Sequence, residues 1–183
     1  MAPPANQTEP ALDDHAETAR LFIALWPALD LASALHAQCG VCASDPGARV
    51  VAPQRMHLTL HFLGPVPRQR LSALTCALQV PFEPFELRFS HCEAWPHGLR
   101  VAVPDAAVPP LIRLHAALGQ ALQGLGLPVE ERPFRPHLTL ARRSAAPLPA
   151  PVGPSLRWPV GGYVLVESQA ARGGAYQVVQ AYS

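Results

Sequence analysis

The tetrapeptide His57-Leu58-Thr59-Leu60 returns unchanged as His137-Leu138-Thr139-Leu140 in the second half of a 183-residue chain. Side chains along a strand alternate between two faces, so each copy turns two leucines one way and a titratable ring with a hydroxyl the other way. One face suits a core and the other a solvent-filled cleft. An identical element at matching places in two halves predicts two related lobes that face each other about a pseudo-two-fold axis. Two histidines and two threonines then converge on one cleft.

The flanking sequence supplies the rest of each lobe. Leu21 to Trp26 is a short apolar run stopped by Pro27 and reads as a buried strand. A helix follows from about Ala28 to Gln38, with Leu31 and Leu35 one turn apart and Gly40 placed to end it. Met56 to Leu63 reads as a strand closed by Gly64-Pro65, and Pro67 opens a second helix carrying Leu71, Leu74 and Leu78. Phe85 to Ala94 and Leu99 to Val103 are strands separated by Pro96-His97-Gly98. A third helix starts at Pro109-Pro110 and carries Leu111, Leu114, Leu118 and Leu122. His137 to Arg142 is a strand, and after a loop rich in proline and alanine come two more, near Tyr163 to Glu167 and Ala175 to Ala181. Several strands are neighbours without a helix between them. The expected class is therefore α+β and bilobal, with mixed or antiparallel sheets lining a central cleft and helices outside. Residues 1 to 18, with their prolines and acids, read as a mobile tail, leaving 19–183 as a single domain.

Two imidazoles facing each other across a cleft suit displacement at phosphorus. Each has an unperturbed pKa near 6.5 and is available in either protonation state at working pH. One, as the neutral ring, can take a proton from attacking water, while the other, as imidazolium, protonates the departing oxygen. The hydroxyls of Thr59 and Thr139 can donate to the non-bridging phosphoryl oxygens, where negative charge grows. Nothing in this scheme requires a metal or a cofactor. The two copies are identical, so the sequence alone does not divide the roles between His57 and His137.

At these residues the chain resembles the 2H phosphoesterases, and among them the bacterial RNA 2′,3′-cyclic phosphodiesterases, formerly called 2′-5′ RNA ligases. Arg20-Leu21-Phe22-Ile23-Ala24-Leu25 with Pro27 is similar to the family's opening strand. His57 to Gly64 is similar to its first motif, and Arg132-Pro133-Phe134-Arg135-Pro136-His137-Leu138-Thr139-Leu140-Ala141-Arg142 resembles its second closely. Glu167-Ser168 and Gly173-Gly174-Ala175-Tyr176 resemble its last hairpin. The resemblance implies hydrolysis of RNA or ribonucleoside 2′,3′-cyclic phosphates to 2′-phosphates, with a weak reverse joining through a 2′-5′ linkage. It implies His57 as the acid to the 3′-oxygen, His137 as the base on water, and Arg142 as a phosphate contact. Simple alternation places Arg142 opposite His137 unless a bulge or twist intervenes, whereas Arg135 and Arg143 have the right parity. Alternation also puts His61 on the face of His57, as a candidate for lining the cleft. Phe22 reads as a core residue, with a base-stacking surface as the alternative.

Charge and motif content narrow the alternatives. The 14 basic residues, all arginine, balance 13 acids. Affinity for long duplexes comes from many phosphate contacts, so this balance argues against it and allows a local phosphate pocket. Without lysine there is no phosphate-binding G-x-x-x-x-G-K-[ST] loop, and no G-x-S-x-G elbow is present. His57 and His61 on a strand are about 13 Å apart, too far to share a metal. Cys39-Gly40-Val41-Cys42 falls at the end of a predicted helix rather than at its start, the wrong terminus for an activated thiol. The four cysteines are expected as reduced thiols in a cytoplasmic monomer with no membrane span and no signal peptide. Two readings stand beside the leading one: hydrolysis of another small cyclic phosphodiester, and an RNA-end or phosphate-binding module with little turnover.

Overall fold

The computed structural model describes residues 18–38, 47–145, 155–169 and 174–183. Its centre is an eight-stranded antiparallel sheet. One half, built from both ends of the chain, runs β10 (Ala175–Tyr182), β9 (Tyr163–Gln169), β1 (Thr18–Leu25) and β3 (Leu58–Pro67). The other half continues with β7 (Leu138–Arg142), β6 (Leu99–Ala102) and β5 (Cys92–Trp95), and the short β2 (Arg49–Val50) also pairs with β7. The halves meet where Leu58 of β3 pairs with Leu138 of β7, the central leucine of each repeat. A separate two-stranded sheet joins β4 (Phe85–Phe89) to β8 (Leu156–Val160). The helices are α1 (Leu29–Gln38), α2 (Leu71–Ala77) and α3 (Pro109–Gly124). None among the described residues is long and apolar enough to cross a membrane.

The pseudo-two-fold relation extends to backbone irregularities. In the first lobe Ala24 pairs with Thr59 and Ile23 with His61, so β3 carries one extra residue, Leu60. In the second lobe Val101 pairs with Thr139 and Arg100 with Ala141, so β7 carries one extra residue, Leu140. An extra residue in one strand of an antiparallel pair is a β-bulge, and it reverses the alternation beyond it. Both copies of the repeat therefore end in the same bulge.

All four repeat leucines are buried: Leu58, Leu138 and Leu140 completely and Leu60 nearly so. They join Leu21, Ile23 and Leu25 of β1, Leu35 of α1, Leu74 of α2, and Leu111, Leu114, Leu118 and Leu122 of α3 in one core. Each fully buried leucine contributes about 1.5–3 kcal/mol, which fixes the repeats from behind and leaves His and Thr on the opposite face. The predicted run Phe85 to Ala94 divides into two strands of different sheets. Asp105 Oδ1 accepts from Ser90 N and Ser90 Oγ, both at 2.7 Å, and turns the chain there. Strand β3 continues through Gly64-Pro65, because Gly64 takes φ +70° and bends the strand without ending it. Strand β8 is absent from the sequence reading although it alternates, turning Leu156, Trp158 and Val160 inward and Arg157 and Pro159 outward. Cys92 is disulfide-bonded, contrary to the expected reduced thiols, while Cys76 is free. The tail 1–17 and the Cys39–Cys42 pair lie outside the described residues.

The bulge at Leu60 overturns the expectation that His61 lines the cleft. His61 opposes Ile23 on the core face, is only 4% exposed, and donates from Nε2 to the carbonyl of His115 at 2.8 Å. The His115 ring bonds in return to the carbonyl of Leu60. The rings of His61, His115 and Phe134 stack in sequence at 4.1 and 3.9 Å, and Gly119 of α3 leaves room for the His61 edge. Burial lowers both histidines, that of His115 to about 4 with help from the His61 charge. A histidine with a folded pKa below its unfolded value near 6.5 binds protons more readily when unfolded. The stability it confers is complete above pH 6.5 and is lost as pH falls toward 4. The melting temperature is expected to decline across that window, and His115→Phe to flatten the decline. Equal slopes for the two proteins in thermal unfolding would contradict this.

Candidate active site

His57 and His137 each precede the first residue of their strand, where the chain turns into the sheet. Each Nδ1 lies 2.8 Å from a carbonyl two residues back, that of Arg55 for His57 and that of Arg135 for His137. A carbonyl only accepts, so Nδ1 carries the proton and donates, and Nε2 of each ring is left to face the cleft. One tautomer and one orientation are thus imposed on both rings by the same local geometry. Carried one residue either way from the Leu58–Leu138 pair, the register sets His57 across from Thr139 and His137 across from Thr59.

These four residues line one cavity of about 440 Å³, together with Arg49, Val50, Val51, Ala52, Arg55, Arg142 and Tyr176. Neither threonine hydroxyl is engaged by another protein group among the described residues. Three arginines and no carboxylate line the cavity, a balance suited to an anion. Burial is the main cause holding both imidazoles below their ordinary value; the carbonyl bonds oppose it, and the Arg142 charge adds to it. Both rings are therefore largely neutral at pH 7 in the empty site, and an entering phosphate anion favours protonation of one of them.

The structure settles which arginine shares the face of the second repeat. Because β7 bulges at Leu140, the alternation restarts and Arg142, five residues after His137, reaches the cavity. Leu140 and Ala141 are consequently both buried. Arg135, which simple alternation favoured, lies over the Trp95 ring at 4.3 Å and pairs with Glu93 at 3.5 Å, outside the cavity lining. Arg143 is exposed at φ +58° and does not line the cavity either.

Several neighbours of the site come from outside the two motifs. The His57 ring sits among Trp26, stacked at 5.2 Å, Phe22 at 4.9 Å and Tyr176, edge-on at 5.3 Å. Phe22 is buried as expected, yet in a small cluster with Ala24 and Val166 on the cleft face of the sheet rather than in the main core. His137 has Trp95 at 4.6 Å. Arg55 donates to the Gly174 carbonyl at 2.9 Å and lies over Tyr176, tying the first repeat to the last hairpin. One signal could have found Arg55: the repeat is longer than four residues, since Arg55 and Arg135 each stand two places before the histidine.

Two neutral imidazole nitrogens, two uncommitted hydroxyls and a guanidinium around one anion-sized space are equipped for acid–base displacement at phosphorus. Comparison with known proteins agrees with this. The family model described as the 2′-5′ RNA ligase superfamily matches residues 27–171. A Thermus thermophilus protein named RNA 2′,3′-cyclic phosphodiesterase is 33% identical over 177 residues, 90% of this chain and 89% of that one. An Escherichia coli protein of the same name is 32% identical over 163 residues, 86% of this chain and 91% of that one. The crystal structure of E. coli LigT complexed with 3′-AMP superposes with a TM-score of 0.80 at 27% identity, covering 90% of this chain and 97% of that one. With a family model spanning most of its length and relatives aligned nearly end to end, this chain belongs to the 2′-5′ RNA ligase superfamily, the 2H phosphoesterases.

Proposed function

We propose that the cleft hydrolyses RNA and ribonucleoside 2′,3′-cyclic phosphates to 2′-phosphates without a metal. The observation that carries this is the pair of carbonyl-oriented imidazoles whose Nε2 atoms face one cavity together with free Thr59 and Thr139 hydroxyls and Arg142. Water attacks phosphorus and loses a proton to Nε2 of His137, while the bond from phosphorus to the 3′-oxygen breaks and that oxygen takes a proton from Nε2 of His57. The threonine hydroxyls and Arg142 hold the non-bridging oxygens through the charge build-up. The division of labour between the histidines follows the family resemblance. Support for the substrate class comes from the relatives named RNA 2′,3′-cyclic phosphodiesterase and from the 3′-AMP complex of LigT. Both copies of the repeat lie within one chain, which supports a monomer, and RNA ends as substrates support a cytoplasmic location.

Incubation with a nucleoside 2′,3′-cyclic phosphate in EDTA is expected to give the 2′-phosphate. A 3′-phosphate product, or no turnover, would refute this reading. Tight product binding with no hydrolysis would select the RNA-end-binding module, and faster turnover of another cyclic phosphodiester would select the other hydrolase.

A further inference from the structure

Resting on that reading, the twin bulges make a prediction about where the RNA chain leaves the cleft. Position five after each motif histidine is equivalent in the two lobes: Arg142 in the second, Phe62 in the first. Phe62 pairs directly with Phe22, whose side chain is on the cleft face beneath His57, so both rings point the same way. Phe62 is 54% exposed, so one face of its ring is open to solvent. The Arg20 guanidinium stands 4.8 Å from its ring centroid and forms no ion pair among the described residues.

The row extends across the sheet. Phe22 pairs with Val166, and Val166 with Val178, so the row has a buried middle, Phe22 and Val166, and exposed ends, Phe62 and Val178 at 53%. An exposed aromatic ring with an unpaired arginine above a sheet is the combination that takes a stacked base and an adjacent phosphate of single-stranded nucleic acid. The groove beyond Trp95, next to His137, is of mixed charge: Glu93 and Asp105 line it together with Arg135, which pairs with Glu93, and His91. An RNA backbone leaving the cleft gains more from the unpaired Arg20 than from that mixed-charge groove.

We propose that Phe62 and Arg20 form a subsite for the nucleotide on the 5′ side of the cyclic-phosphate end, its base stacked on Phe62 and its phosphate near Arg20. Phe62 lies about 10 Å along β3 from Thr59, so a mononucleotide held at the phosphate cavity does not reach it. The subsite reads chain length rather than chemistry.

The test compares uridine 2′,3′-cyclic phosphate with a ten-nucleotide RNA ending in the same cyclic uridylate. Phe62→Ala is expected to lower kcat/KM for the RNA about tenfold, mainly through KM, and to leave the mononucleotide within about twofold. Phe62→Trp should retain RNA activity, and Arg20→Ala should reduce it with a shallower salt dependence. Equal losses on both substrates would place Phe62 in the reaction cleft and overturn the proposal, as would no loss on either. Wild-type turnover of the mononucleotide is read independently, so failure of the proposed reaction is distinguished from failure of the subsite. Melting curves of the variants report whether folding is intact.

Discussion

Replacing either His57 or His137 by alanine is expected to lower kcat/KM on a nucleoside 2′,3′-cyclic phosphate by about 10²–10⁴-fold. The double variant should fall little below the worse single one, because an acid and a base serving one displacement act as a unit. Both rings are half-buried and lie outside the main core, so far-ultraviolet circular dichroism and cooperative melting should persist. The pH profile carries a further signature. One ring must be protonated and the other neutral, so the active fraction peaks between their two pKa values. Burial disfavours the imidazolium in both, and each lies below its ordinary value in the free protein. The profile of kcat/KM, which reports the free protein, is therefore expected to peak below pH 6.5. Full activity in either single variant would remove the paired mechanism, and a peak well above pH 7 would contradict the electrostatics of the cavity.

Arg142→Ala should cost about 10²–10³-fold in kcat, the loss expected when a donor aimed at growing oxyanion charge is removed. Arg142→Lys should recover only part of it, since an ammonium cannot reproduce the planar fork on two phosphoryl oxygens. Arg143→Ala, one residue away but outside the cavity, should leave turnover within a few-fold. Steady-state rates of the three variants decide the matter, and an Arg143→Ala loss equal to that of Arg142→Ala would mean that β7 does not bulge at Leu140 in solution.

What the sequence revealed and concealed divides along a physical line. The repeat was legible because its information is local: alternation within four residues separates the leucines from His and Thr whatever lies beside them. The bulges were not, because Leu60 and Leu140 look like ordinary members of an alternating strand. Only the pairing partners, β1 and β6, decide that each is the residue left over. Two site assignments turned on that one feature, excluding His61 from the cleft and admitting Arg142. The rings around His57 were hidden for a related reason, since Trp26 and Tyr176 come from positions 31 residues before and 119 residues after it and meet only when β10, β9, β1 and β3 assemble. Arg55 was within reach, had the comparison of the repeats extended two residues upstream.

The two halves of the large sheet meet through the Leu58–Leu138 pair, with β2 taking the place of β3 along the rest of β7. That one pairing fixes the relative placement of all four motif side chains. A slip of β3 against β7 by one residue would displace both histidines from both threonines at once, so the acid, the base and the two hydroxyls share a single point of geometric control.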